Sequence, residues 1–355
     1  MKRRSLFTLF TLLYIKKPSG PVQLNHFITS KCNAKCHHCF YKNNLNSNND
    51  LSLEKIIKIT ENLPHLYFLF ITGGEPFMRA DLAEIIIAYY RNTRVKEVSI
   101  PTNGFLTDNI FSTMENILNS CPDIDFNLVI SLDGPSEIHD RIRGVKGGYK
   151  KAVNTFFKLK NLKKNHPQLN ISILPTLLPE NKDVMLDFLK FVKEELVPDS
   201  VSVNLLRSGP GAPDINWISS DILEKILEWE LGELQGGKGL KAKIRSLVHK
   251  LRLDLLKRTI TEKKYFIPCR AANLMGVLSE NGIVYPCELL SCSPGNIRNF
   301  DHDFRKVWNS SQIKEYRSTI LKEKCFCINE CFNRINIISN PVFIIKNLLK
   351  YKFRI

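Results

Sequence analysis

Between residues 23 and 206, short runs rich in β-branched and aromatic residues alternate with longer stretches whose apolar residues recur at helical spacing. The runs 23–29, 67–72, 97–101, 126–132, 170–176 and 200–206 predict strands. The segments 52–62, 81–90, 108–118, 148–163 and 181–195 predict helices, with Ser52, Asp81 and Asp108 as the N-caps of the first three. Regular strand–helix alternation implies right-handed crossovers and a parallel sheet. Six such repeats give an α/β class and a partial (β/α)6 barrel, with chemistry expected in the loops that follow the strands.

The pattern then breaks. Ser208-Gly-Pro-Gly-Ala-Pro213 is a natural boundary, and 221–261 reads as one or two helices interrupted by Gly236, Gly237 and Gly239. From 265 to 341 the chain turns to short runs, turns and cysteines. The expected organisation is a basic apolar segment at 1–22, a core domain at 23–210, a helical linker at 211–264, a small cysteine-rich module at 265–341 and a basic apolar tail at 342–355. The apolar run 5–15 sits between Lys/Arg clusters. With no small-residue cleavage site after it, it makes a poor secretory signal. It is also shorter than the roughly 20 residues that span a bilayer. Both terminal segments suit either a membrane interface or packing on the domain.

Composition adds two facts. The 355 residues, 43% of them hydrophobic, suffice for a substantial core. Against 35 Asp and Glu stand 51 Lys and Arg, a formal charge of +16. That balance suits nucleic acid, anionic lipid or an acidic substrate, and equally a chain whose surface is simply lysine-rich. Ten cysteines fall in clusters: three between 32 and 39, one at 121, six between 269 and 331. In a long chain with α/β pattern such clusters read as metal ligands in a reducing, cytoplasmic compartment, with membrane association at the inner surface left open, more readily than as disulfides.

Cys32-x3-Cys36-x2-Cys39 follows the first predicted strand. Three thiolates on one loop suit three irons of a cubane and leave a fourth open, as a catalytic centre requires. A zinc loop completed by His37 or His38 is the other reading. After the second strand comes Thr72-Gly-Gly-Glu-Pro76, whose glycines permit close backbone approach and whose Glu75 offers an acceptor for an ammonium. After the fourth comes Ser131-Leu-Asp-Gly-Pro135, with His139-Asp140 and Arg143 beyond it.

Together these segments resemble the radical S-adenosylmethionine (SAM) superfamily. The resemblance implies that Cys32, Cys36 and Cys39 hold a 4Fe-4S cluster whose fourth iron is chelated by SAM. It implies that Gly73, Gly74 and Glu75 meet the SAM amino group, that Ser131 lies near the ribose and that Arg143 pairs with the carboxylate. Short polar side chains such as Ser131 and Asp133 equally cap turns, and His139 suits a structural or a catalytic place. Thr102-Asn-Gly104 is similar to the family's turn after strand three, a place that suits lining the pocket or simply forming the turn.

Cys269-x12-Gly282-x4-Cys287 resembles the opening of the SPASM/Twitch auxiliary module of the same superfamily. Cys325-x-Cys327-x3-Cys331 matches its later block incompletely, which implies one auxiliary 4Fe-4S cluster on Cys269, Cys287, Cys331 and one of Cys325 or Cys327. Cys292 is in reserve, and a zinc knuckle is the structural alternative. Glu288 occupies the place of a proposed catalytic base in similar sulfatase-maturing enzymes, although a surface carboxylate is the plainer expectation. Cys121, alone, is expected as a buried small residue.

The resemblance implies an enzyme that draws one electron from an external flavodoxin- or ferredoxin-like reductant, cleaves SAM to a 5′-deoxyadenosyl radical and abstracts hydrogen from a peptide or protein. Lipid-linked substrates, small metabolites and RNA are alternatives. A non-catalytic iron–sulfur or zinc electron carrier is the rival of another class.

Overall fold

The computed structural model describes residues 20–206, 219–233, 240–290, 293 and 295–350. The expected N-terminal basic segment up to residue 19, the breaker cluster at 208–213, the glycines at 236–239, Cys292 and the last five residues lie outside them.

Six parallel strands form the frame: β1 Gln23–Thr29, β2 Phe68–Gly73, β3 Glu97–Thr102, β4 Asp125–Ile130, β5 Leu169–Ile173 and β7 Ser200–Val201, adjacent in that order. Two-residue strands β6 Thr176–Leu177 and β8 Asn204–Leu205 pair separately, so the runs 170–176 and 200–206 are each broken rather than continuous. The crossovers are helices α1 Leu53–Glu61, α2 Leu82–Thr93, α3 Thr107–Ser120, α4 Ser136–Arg143, α5 Gly148–Lys163 and α6 Met185–Phe191. This is the partial (β/α) barrel that the alternation predicts.

Ser52 caps α1 through its hydroxyl, which accepts from the Lys55 amide. The other two differ: Asp81 stands at the N-cap of α2 without a side-chain cap bond, and Asp108 is displaced from the cap because α3 begins one residue earlier. Asp81 instead pairs with Arg79 Nε at 2.7 Å. Asp108 lies inside the first turn of α3, behind Leu106, and pairs with Lys158.

Strand alternation sorts the sheet into two unlike faces. Leu24, Ile71, Val98, Ile100, Leu128 and Ile171 are fully buried, on the face where Tyr89 of α2 meets His26 of β1 (hydroxyl to Nδ1, 2.8 Å). Burying such a layer stabilises the fold at roughly 25 cal/mol per Å2 of apolar surface removed from water. The opposite, concave face is mixed, with Phe27, Phe68, Phe70 and Val129 beside polar residues. Asn25, Ser99, Asn127 and Asn170 lie on it by parity, in the registers Asn25↔Phe70↔Ser99↔Asn127↔Asn170.

Beyond a pair of helices, α7 Ser220–Glu233 and α8 Leu240–Glu262, the cysteine-rich region adds strands to the same sheet. β9 Met275–Leu278 runs parallel to β1, with Gln23↔Met275 through His26↔Leu278 in register. β10 Ile283–Tyr285 and β11 Gly295–Asn296 follow antiparallel, completing a nine-stranded sheet. Helices α9 Phe304–Trp308, α10 Ser311–Lys322, α11 Glu330–Ile338 and α12 Pro341–Lys350 close the chain. Among the described residues no helix is long and apolar enough to cross a membrane.

Candidate functional site

The loop after β1 carries Cys32, Cys36 and Cys39, all half-buried. Its course is fixed from outside: the Cys32 amide donates to Asn46 Oδ1 (3.0 Å), the Lys35 amide to the Arg143 carbonyl (2.9 Å) and Asn103 Nδ2 to Asn33 Oδ1 (2.7 Å). Burial pushes the Cys32 thiol up to about 11, and raises Cys39 as well. The two other thiols add to the effect on Cys32, and Cys36 adds to that on Cys39. A cation at the site would reverse that balance, because a coordinating thiol is deprotonated by its metal. His38 on the same loop is pushed down to about 4 by burial, and its Nδ1 is buried without a partner.

The exit of β2 lies tight against this loop. Gly73 has φ +122°, and a Cβ there would stand 2.3 Å from the Thr29 carbonyl oxygen. One on Gly74 would stand 2.1 Å from that of Lys31. The glycines are therefore needed first for the approach of two backbones, loop on loop, sealed by Gly74 N to Thr29 O and Glu75 N to Lys31 O, both 2.8 Å. Glu75 is 2% exposed and accepts from Thr102 Oγ1 (2.8 Å) and the amides of Asn103 (2.7 Å) and Phe77 (3.2 Å). Burial lifts its carboxyl to about 7 against the pull of those donors. A buried carboxylate so placed gains from a cationic ligand.

The exit of β4 contributes a second charged group. Asp133 is fully buried; its carboxylate accepts from Arg143 Nε (2.5 Å) and the Thr176 amide (2.9 Å), so it does far more than cap a turn. Burial pushes its carboxyl up, and Arg143 more than offsets that, holding it below the usual range. Arg143 Nη1 reaches Cys36 Sγ at 3.7 Å. His139 is buried, its Nδ1 accepting from the Asp133 amide (3.2 Å), a place that fits support of the turn. Ser131 is half-buried, with its amide on Thr102 O (2.9 Å).

Of the described C-terminal cysteines two sit deeper, while Cys325, Cys327 and Cys331 are half-buried like the first three. Cys269 and Cys287 are buried, and burial raises both thiols, Cys269 to about 12. Cys269, Cys325 and Cys327 line one small cavity with Asn333 and Asn336, and Cys327 also acts on the Cys287 thiol. Cys331, on the first turn of α11, lies near the buried guanidinium of Arg252. Cys121 is fully buried, as expected. Glu288 is not the free surface carboxylate of the plainer reading: it is half-buried, accepting from Asn25 of β1 and from Asn329 Nδ2 (3.2 Å), the N-cap of α11. Among the described residues no three His, Cys, Asp or Glu side chains are gathered to grip a single metal ion.

Several partners escaped the sequence reading. The segment of Thr102 and Asn103 suits pocket lining or a turn, and Asp133 a cap, but nothing local in the sequence points to their bonds with Glu75 and Arg143, nor to the bonds of Asn25 or Asn329. Only Asn25 carried a usable signal, a polar residue two positions from Gln23 in a strand that interrupts the alternation at Phe27.

Residues 27–192 match the model of the Radical SAM superfamily. The chain is 28% identical to an Fe-coproporphyrin III synthase of Methanosarcina barkeri over 58% of its length and 49% of the relative's, so it spans about half of that protein. It is 25% identical to an AdoMet-dependent heme synthase of Oleidesulfovibrio alaskensis over 82% of the chain and 75% of the relative. To the antilisterial bacteriocin subtilosin biosynthesis protein AlbA of Bacillus subtilis it is 26% identical, over 86% and 65%. In fold it is similar to SuiB of Streptococcus suis bound to its precursor peptide SuiA (TM-score 0.61, 16% identity, 89% and 70% covered). It is also similar to anSMEcpe with bound AdoMet and a peptide (TM-score 0.55, 21% identity, 85% of each).

Proposed function

The chain belongs to the radical SAM superfamily and carries a SPASM/Twitch-like C-terminal module, and we propose that its substrate is a peptide or protein held on the concave face of the barrel. One observation carries this reading: the concave face bears two rows of hydrogen-bonding side chains, amides and hydroxyls in all but one place, Glu288. Asn127 Oδ1 accepts from Ser172 Oγ (2.6 Å), which lies 2.7 Å from Ser200 Oγ, giving a row across β4, β5 and β7. On the other side Gln23, Asn25, Glu288 and Asn329 form a second row. Amides and hydroxyls of this kind pair with a peptide main chain, which must satisfy its own polar groups once buried.

The residues present fit the cofactors of the superfamily. Three half-buried thiols share one restrained loop, and a buried carboxylate waits beside it for a cation. Cys32, Cys36 and Cys39 would hold the 4Fe-4S cluster, Glu75 would accept from the SAM ammonium, and Gly73 and Gly74 keep that turn close to the loop. Ser131 would stand by the nucleoside. Cys269, Cys287 and Cys327 would hold an auxiliary cluster together with Cys325 or Cys331. When bound, the cluster and SAM supply one-electron cleavage of a carbon–sulfur bond and a carbon radical able to remove hydrogen from a substrate. The protein's share is to orient both partners and exclude water. Glu288, held by Asn25 and Asn329, keeps an acceptor at the edge of the concave face, where it would take up a substrate proton. The electron would come from an external flavodoxin- or ferredoxin-like protein.

A tetrapyrrole substrate is the second reading, favoured by likeness to the heme synthase over most of the chain. The test is anaerobic turnover of reconstituted enzyme with dithionite, SAM and either a peptide pool or iron coproporphyrin III, followed by mass spectrometry. Substrate-dependent 5′-deoxyadenosine with a mass change in peptide, lost in Asn127→Leu, supports the peptide reading. Consumption of the porphyrin alone would replace it with the second.

A further inference from the structure

Arg143 was expected to clamp the SAM carboxylate. A guanidinium does this through two neighbouring nitrogens. Here one edge is spent on Asp133 through Nε (2.5 Å), and the other on Cys36 Sγ through Nη1 (3.7 Å), so neither two-nitrogen edge is free. The side chain is only 11% exposed, and the Asp133 side chain not at all.

The anchor behind this pair is rigid. The second Asp133 oxygen is held by the Thr176 amide (2.9 Å), and the Asp133 carbonyl by Asn181 Nδ2 (2.7 Å), itself fully buried. Helix α4 and the cysteine loop are also joined by backbone: the Lys35 amide donates to the Arg143 carbonyl at 2.9 Å. The next residue, Gly144, has φ +65°, and a Cβ there would stand 2.8 Å from the Lys35 carbonyl oxygen. A glycine both ends the helix and admits the loop.

We propose that Arg143 is a positioning residue for the cluster loop, donating a hydrogen bond to the Cys36 thiolate and thereby raising the cluster's reduction potential, with Asp133 as its anchor. Hydrogen bonds and positive charge at ligand sulfurs favour the more negative, reduced cluster, so losing them lowers the potential. The inference rests on the reading that Cys32, Cys36 and Cys39 hold the cluster.

The experiment is a redox titration of the anaerobically reconstituted full chain without SAM, followed by electron paramagnetic resonance, on wild type, Arg143→Met and Arg143→Lys. SAM affinity is measured in parallel by equilibrium dialysis. The expected result is a midpoint that falls in Arg143→Met, with Arg143→Lys between it and wild type, and SAM affinity changed by less than about threefold, since the carboxylate has lost no clamp. An unchanged midpoint with SAM affinity lost more than about tenfold would overturn the proposal and return Arg143 to the carboxylate. Should Arg143→Met fail to load iron, Arg143→Lys decides: a midpoint below wild type supports the bond to Cys36, an equal one refutes it. A wild type without the reduced-cluster signal at full iron and sulfide loading, or a signal that is not diminished when all three loop cysteines are changed to alanine and only the auxiliary cluster is left to give one, points to a failure of the underlying cluster reading instead.

Discussion

The three cysteines after β1 and the two that flank β9 and β10, Cys269 and Cys287, lie along one continuous sheet in opposite settings. Cys32, Cys36 and Cys39 stand half-buried on a loop pinned by side chains from three other segments, next to the charged Asp133–Arg143 pair. Cys269 and Cys287 are buried in the main hydrophobic core, where burial raises their thiols further. An open, polar setting suits a centre that must admit a ligand and an electron. A closed, apolar setting suits one whose loss damages the fold around it, because metal binding and folding are coupled.

The largest expected effect separates the groups outright. Changing Cys32, Cys36 and Cys39 together to alanine abolishes 5′-deoxyadenosine formation and leaves the thermal midpoint nearly unchanged. Changing Cys269 and Cys287 to alanine lowers that midpoint, by roughly 2–4 °C for each kcal/mol lost. Equal melting shifts in the two variants would erase the distinction.

Next in size is Gly74→Ala. Its Cβ would meet the Lys31 carbonyl at 2.1 Å, so loop or turn must move. The expected cost is about 1–3 kcal/mol in stability, as for other overpacked sites, along with weakened SAM binding. Calorimetry and dialysis on the same sample check both.

Glu75 gives a pH-dependent effect of about tenfold. Its carboxyl is lifted to about 7, and the SAM ammonium wants the ionised form, so affinity rises roughly tenfold from pH 6 to pH 8. Glu75→Gln should flatten that profile. The stability consequence has the opposite sign: the raised group stabilises the fold below its unfolded value near 4.5, and that contribution is lost as pH rises through about 7. Dialysis across this range reads the first effect and urea unfolding the second.

The smallest effect concerns the joint between the halves. Arg334 of α11 lies over the Phe68 ring (4.2 Å) and pairs with Glu97 at 2.8 Å, with 32% of its side chain exposed. Arg334→Ala should cost about 1 kcal/mol or less, after allowing for solvent screening. A larger loss in a melting experiment would mean that this contact, rather than strand pairing, carries the attachment.

The barrel half was legible because its signals are local. Strand 23–29 and helix Gly148–Lys163 have the predicted ends, and the Gly-Gly turn sits where the second strand stops. Helix α4 was missed since only His139 and Ile142 of its eight residues are buried, too few to set a period. Run 181–195 changes character midway, α-helical to Phe191 and then a wider turn from Val192 to Leu196, a shift that side-chain pattern does not encode. The pairing of β1 with β9 links residues some 250 positions apart, beyond any local cue. The same holds for the bonds of Glu288 to Asn25 and Asn329.

That long-range pairing also has a consequence for biosynthesis. During translation one edge of β1 stays unpaired until Met275–Leu278 leaves the ribosome. At about 5–20 residues per second that interval is roughly 13–50 s. An open strand edge is a template for wrong partners. The nascent barrel is thus at its most aggregation-prone when it is otherwise almost complete, and truncations ending before β9 should be far less soluble than their size suggests.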